Sequence, residues 1–262
     1  MPNQLPTVAL IIDDIGYDNL NSRAAIQLPQ PFAVAILPFS PHAKSLAALA
    51  NQLGKDVILH LPLEADKDNH LLGPGALYLD MSQVEIGDGF LDALAAVPYA
   101  IGINNHMGSR FTRDETHTRW LMRAIHDQGD LFFIDSRTTQ SSIASQQAQI
   151  ANIASVSRDV FIDNVQTKSY IEGQLEKLLA DAKSKGHALG IAHPHLITIA
   201  LLNDWQPSKS GVRLVALREY IDSYKNTAAR ASKATGSLAL TTPECGDQRS
   251  NAEPTENPNA QR

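Results

Sequence analysis

A single cysteine, Cys245, stands among the 262 residues. No intrachain disulfide can form, and no cysteine-rich zinc or iron–sulfur site can be assembled. Redox compartment stays open, because cysteine-poor enzymes work in cytosol and periplasm alike. Positive charge is also scarce: Lys and Arg total 22 against 28 Asp and Glu, a net charge of −6. A nucleic-acid backbone or an anionic membrane calls for a concentrated cationic surface, so neither is an expected partner. Long apolar runs are missing too. Stretches such as Val8–Ile12 and Ala33–Leu37 fall far short of the roughly 20 residues that span a bilayer, so no transmembrane segment is expected. Residues 1–6 lack the basic and apolar regions of a signal peptide, and the chain as written reads as soluble and unexported.

What is present is material for a core: 43% of residues are hydrophobic and 19% charged, an ordinary globular balance. Residues 225–262 depart from it, with no aromatic residue and a predominance of small and polar types. Such a segment buries too little apolar surface to offset its ordering entropy, so a disordered tail is expected there, with a helical start over 226–233. The first 224 residues contain no linker and read as one domain. Short strand-like runs occur at 7–12, 32–37, 56–61, 100–104, 131–134, 159–162, 188–192 and 213–217. Amphipathic helical stretches lie between them at 42–52, 83–96, 114–127 and 169–185. Gly54, Gly129 and Gly186 close three of these helices. Strands alternating with helices imply an α/β fold with a mostly parallel sheet, and seven or eight units predict a (β/α) barrel.

The chemistry sits at the strand ends. Val8–Ile12 is followed by Asp13-Asp14, Val57–Leu59 by His60 and later Glu64, and Ile101–Ile103 by Asn104-Asn105-His106. Phe132–Ile134 leads to Asp135-Ser136-Arg137, Val160–Ile162 to Asp163-Asn164, and Leu189–Ala192 to His193-Pro194-His195. Parallel α/β folds gather these ends on one face. Capping of the following helices accounts for one such carboxylate; six acid, amide or imidazole ends, three with histidine, point to a functional cluster. No Gly-x-Ser-x-Gly elbow is present, and the lone cysteine lies in the tail, so covalent hydrolase mechanisms lack a nucleophile. Asp13-Asp14 occupies the place where a nucleotide would need bare backbone amides. A set of carboxylates and imidazoles remains, the donors of a zinc or related divalent site.

These same residues resemble the divergent polysaccharide deacetylase family of bacterial envelope proteins, a distant branch of the carbohydrate deacetylases. The resemblance runs from Thr7 to Leu217 and is carried by residues 11–16, 59–64, 73–77, 102–109, 132–138 and 191–195. It implies a distorted seven-stranded barrel, a divalent metal cofactor (zinc first), a polysaccharide or envelope glycan as substrate, and a periplasmic location. It also implies roles: Asp13 as general base, Asp14 as metal ligand, His60 as first histidine ligand, Asp135 as the late aspartate and His193 as general acid. The second histidine ligand of the wider group is replaced by Glu64, and its arginine–proline–tyrosine loop by residues 105–110. Two ligand sets therefore stand. Glu64 can complete the site with His60, or His106 can supply the missing imidazole beside Asp14 and His60. The second is preferred because His106 leaves a separate strand end.

The remaining polar residues carry alternatives. Glu64, Asn105, Arg110, Arg137 and His195 are candidate further ligands or substrate contacts, His195 also reading as a helix cap. Asp135 either pairs with Arg137 or orients His193. Asp163 and Asn164 read equally as site or structural residues. Tyr17 and Phe39, just after strand ends, can stack on a sugar, whereas Trp120 and Trp205 read as core. The expected function is metal-dependent hydrolysis of an acylated glycan. Its rival is a barrel that binds glycan or an envelope partner without cleaving it, and a phosphoesterase is disfavoured because Arg110 and Arg137 are the only cations at the strand ends.

Overall fold

The computed structural model describes residues 5–224; the expected polar tail and its helical start at 226–233 lie outside them. The chain begins with β1 (Thr7–Ile15), α1 (Asn19–Ile26), β2 (Ala33–Ile36), α2 (Ala43–Gln52) and β3 (Val57–Leu63). It continues through α3 (Gln83–Ala96), β4 (Ala100–Met107), α4 (Glu115–His126), β5 (Phe132–Asp135) and α5 (Ala144–Ile150). The last third holds β6 (Ser155–Ser157), β7 (Val160–Phe161), α6 (Lys168–Lys185), β8 (His187–Ala192), α7 (Leu196–Asp204) and β9 (Arg213–Leu214). Helix starts follow local chemistry. Asp18 caps α1, Asp114 caps α4, and Ser82 with Glu85 forms a capping box on α3. Gly186 ends α6 in the left-handed conformation, and Gly54 and Gly129 also take positive φ. No helix among the described residues is long and apolar enough to cross a membrane.

Every ladder is parallel, in the order β6-β5-β4-β3-β2-β1-β8-β7. β9 shares one edge of β1 with β2, pairing Thr7 and Val8 while β2 takes Ile11 onward. The α/β barrel expected from the strand–helix alternation is therefore present. Its seam lies between β6 and β7. Two residues cannot make a parallel crossover, which needs about a dozen, so β6 and β7 are halves of one interrupted strand. Arg158 N–H still donates to Asp135 O of β5, whereas Asp159 N–H donates to Leu189 O of β8. The strand changes partner at that dipeptide, and no helix covers the jog. β6 and α5 were not among the expected elements, because three strand residues and one seven-residue helix carry too little periodicity.

Alternation along the strands separates two apolar layers. One face of the sheet packs Val8, Leu10, Ile12, Val34, Ile36, Val57 and Leu59 under the helices. The other turns Ala9, Ile11, Ala33, Ala35, Ile58, Phe132, Ile134, Leu189 and Ile191 into the barrel, where Val215, Leu217 and Tyr220 join them. With period two, the next residues inward after Ile11, Ile58, Gly102 and Ile191 are Asp13, His60, Asn104 and His193. The site is the polar top layer of an otherwise apolar interior.

Candidate active site

Strands β1, β3 and β4 run further than the sequence suggested, whereas β2, β7 and β9 are shorter. β1 extends through Asp13 and Asp14 to Ile15, so the two aspartates lie in the strand, and Asp18 performs the helix capping. Adjacent strand residues ordinarily face opposite sides. Here the β1–β2 register shifts between Ile12 and Ile15, and Asp14 has φ 57°. The bulge turns both carboxylates toward His60: its Nε2 lies 3.7 Å from Asp13 Oδ2 and 3.2 Å from Asp14 Oδ1. Phe39, Met107 and Arg137 have φ of 55°, 53° and 47° just beyond or at the ends of β2, β4 and β5. Left-handed backbone in non-glycine residues costs on the order of 1–3 kcal/mol and concentrates where a site needs side chains re-aimed.

Three donors converge. His106 Nδ1 is 3.0 Å from Asp14 Oδ1, and His60 Nε2 and His106 Nδ1 are 3.2 Å apart. Both rings stand within ion-pair distance of Asp14 Oδ1, yet neither directs an N–H at this buried oxygen with hydrogen-bonding angles. A proton shared between the two histidines would still leave it orphaned. An ion with bonds of about 2.0–2.1 Å in tetrahedral geometry would separate its ligands by about 3.3 Å, close to all three edges. Imidazole, imidazole and carboxylate suit zinc, and Asp14, His60 and His106 form one of two such groups among the described residues. The donors fit a divalent ion.

The next layer orients them. His60 Nδ1–H donates to Asn104 Oδ1 at 2.7 Å, which turns the Nε2 edge of the ring toward Asp14. Asn104 Nδ2–H donates in turn to Asp13 Oδ1 at 2.8 Å. Asp13 is 3% exposed, and burial raises its carboxyl above the ordinary range despite the opposing charges of His60 and His193. For Asp14, burial acts in the same direction but is outweighed by His106 and His60, which hold its carboxyl well below that range. Neighbouring carboxylates are thus driven apart, one basic and one ionised, as acid–base sites require. Across the opening, His193 Nε2 lies 3.8 Å from Asp14 Oδ2. Burial disfavours the charged ring of His193, but its bond to Asp163 and the charges of Asp14 and Asp13 prevail, raising its pKa to about 9.

Several expected roles move to other residues. The carboxylate orienting His193 is Asp163: Oδ1 accepts from His193 Nδ1 at 2.9 Å, and Oδ2 from His193 N–H and Thr198 Oγ1–H. Asp135 accepts from the Ser142 Oγ hydroxyl and from the Arg137 backbone N–H, so it neither orients His193 nor pairs with the Arg137 guanidinium. Glu64 is engaged elsewhere too, accepting from Arg110 and from Leu79 N–H at 2.7 Å each. Asn105 faces away from the donors: it accepts from Ser136 N–H and donates to Met107 O, bracing the His106 turn. His195 stacks on His193 and contacts Gln166; its ring does not cap α7. Asn164 is exposed beside Phe161.

Tyr17 and Phe39 remain about half exposed, 50% and 46%. The Gly73–Leu77 loop packs against them, and a Cβ at Gly75 would lie 2.6 Å from the Phe39 ring, so only glycine fits there. Trp205 stacks on buried Phe32, and Trp120 packs on His117 and the core. Sequence reasoning placed Asn104 at a strand end without giving it a role, and it missed Arg158. Asn104 was legible from its period-two spacing with Gly102. Arg158 carried no signal, because the strand around it is broken.

A polar top layer on a parallel barrel, with carboxylate and imidazole donors beside a buried aspartate, defines a deacetylase-like (β/α) barrel protein. The chain belongs to the divergent polysaccharide deacetylase family, whose sequence profile matches residues 10–221. It is 35% identical over 195 residues to the uncharacterized protein YibQ of Escherichia coli K12, covering 74% of this chain and 60% of that protein. An uncharacterized Haemophilus influenzae protein is 34% identical over 195 residues, covering 74% and 69% of the two chains. The match thus spans less than two thirds of the Escherichia coli relative's length. A crystal structure of an uncharacterized protein from Agrobacterium tumefaciens C58 shares the fold, with TM-score 0.78, 22% identity, and coverage of 83% of this chain and 89% of that one.

Proposed function

We propose that this protein is a metal-dependent hydrolase that removes the acetyl group from an N-acetylated polysaccharide or envelope glycan, working in the periplasm. The observation that carries this reading is the orphaned Asp14 Oδ1 facing two imidazole nitrogens beside buried Asp13. Family membership supports the glycan, and the half-exposed rings of Tyr17 and Phe39 offer it apolar faces at the rim. A divalent ion, zinc by preference, would be held by Asp14, His60 and His106 and would supply Lewis-acid polarisation and an acidified water.

The chain's own residues provide the proton traffic. Asn104 fixes Asp13 Oδ1, leaving Oδ2 toward His60 and the opening, where it takes the proton of the attacking water. His193, held through Nδ1 by Asp163, presents Nε2 from the opposite side and protonates the leaving amine. Asp13→Asn is expected to lower acetate release from acetylated chito-oligosaccharides by about 10²–10⁴-fold with metal content unchanged. Full turnover in that variant would remove Asp13 from the base role.

One observation favours a binding protein that does not cleave. The 105–110 segment replaces the acetyl-binding loop of the wider group, and its Arg110 is held by Glu64 through both side chain and backbone. Metal-loaded wild-type protein that binds chito-oligosaccharide yet releases no acetate would establish that reading instead.

A further inference from the structure

The seam of the barrel leaves a cavity of about 540 Å³ between the Arg137 turn, the β6–β7 jog and α6. We propose that this cavity is a subsite for an anionic substituent, carboxylate or phosphate, on a sugar neighbouring the one that reacts. The proposal rests on the glycan reading above and extends it to the substrate's charge.

Charge balance is the first observation. Arg137 and Arg158 both line the cavity, and the charge of Arg137 disfavours that of Arg158. Arg158 is anchored: Nε–H donates to Ser136 O, an Nη–H donates to Arg137 O, and the guanidinium lies 4.9 Å above the Phe161 ring. Asp13 and Asp135 also partly balance it. The Arg137 guanidinium has no hydrogen bond or ion pair among the described residues. Other charges in the lining are already matched. Asp159 pairs with Lys185 and accepts from Leu189 N–H, and Lys177 pairs with Asp181. One planar cation is therefore left facing the cavity, and its fork matches a carboxylate or phosphate.

The backbone is the second observation. Arg137 has φ 47°, secured by its N–H donating to buried Asp135, a conformation unfavourable to a residue with a Cβ. Composition and position agree with it. Asn164, Tyr170 and Gln174 supply the amide and aromatic groups that recognise a sugar. Phe161 forms a wall common to cavity and active site, since its ring stacks on His193 at 5.1 Å. A polymer lying across His193 would place its neighbouring residue at this wall.

Calorimetric titration with hyaluronan hexasaccharide, which carries carboxylates, and with neutral chitohexaose tests the idea in wild type, Arg137→Ala and Arg137→Lys. Wild type should prefer the carboxylated hexasaccharide by about tenfold or more; Arg137→Ala should lose the preference while keeping chitohexaose affinity, and Arg137→Lys should recover little. Equal binding of the two with no response of Arg137 to glucose 6-phosphate, or a preference that survives in Arg137→Ala, would overturn the subsite. Nuclear magnetic resonance of the Arg137 side-chain Nε–H during titration with glucuronate and with glucose 6-phosphate separates carboxylate from phosphate. Shifts there without binding of either hexasaccharide would keep the anion site and overturn the glycan reading. No shift with either anion, together with no hexasaccharide binding, would overturn both.

Discussion

Two groups of one aspartate and two histidines lie at the top of the barrel, Asp14 with His60 and His106, and Asp163 with His193 and His195. Their compositions are identical, yet their hydrogen bonding is opposite. In the second group both Asp163 oxygens accept bonds, from His193 and Thr198, and the carboxylate is fully buried. In the first, Asp14 Oδ1 is buried without a donor while two ring nitrogens face it. A buried acceptor left unpaired costs roughly 1–3 kcal/mol unless something fills the gap. The donors of the first group suit a cation, whereas the hydrogen bonds of the second favour a proton held on His193. Residue type names the candidates; the count of satisfied lone pairs separates ligand from proton carrier.

The largest expected effect breaks the first group. His60→Ala combined with His106→Ala should abolish stoichiometric zinc or manganese binding in metal analysis of tag-free protein, while His195→Ala should bind as wild type does. Loss of metal in the His195 variant instead would transfer the site to the second group. Next comes Asp163→Asn, which keeps the shape but weakens the hold on His193. Acetate release should fall by about 10²-fold or more, with metal content preserved, and unchanged release would separate Asp163 from proton transfer.

A smaller effect sharpens the comparison at Asn104, which belongs to the metal group by bonding but not as a donor. Asn104→Ala should weaken metal affinity by about 10–100-fold without eliminating it, the usual consequence of freeing a ligand's second nitrogen. Calorimetric titration with zinc reads this directly, and wild-type affinity would show that His60 needs no such anchor. Smallest is a change outside both groups. Asp114 caps α4, and the His117 N–H lowers its carboxyl below the ordinary value of 3.8. A folded-state value below the unfolded one gives stability that is present above pH 3.8 and lost as pH falls through the lower, folded value. Asp114→Ala should cost about 1 kcal/mol at neutral pH, with the difference from wild type shrinking under acid in urea unfolding curves; metal binding should not move.

Much of the architecture was legible because strands and helices have different periods. The long helices α3, α4 and α6 and the strand cores appeared at nearly their observed places. Asp14, His60 and His106 came together as expected, and Glu64 was set aside by its bonds to Arg110 and Leu79. What escaped was local and non-periodic. The bulge at Asp13-Asp14, the partner change at Arg158-Asp159 and the assignment of Asp163 rather than Asp135 to His193 depend on pairings between residues 21 to 30 positions apart.

Composition and alternation alone determined that this chain folds as a parallel α/β barrel with its polar groups gathered at the strand ends, since burial of apolar faces leaves few other solutions. Tertiary structure alone decided which of those groups share a lone-pair target, which carboxylate holds which ring, and where an arginine is left unpaired. Strand-end chemistry is written residue by residue, but hydrogen-bond partnership is a property of register and curvature, which no single segment contains.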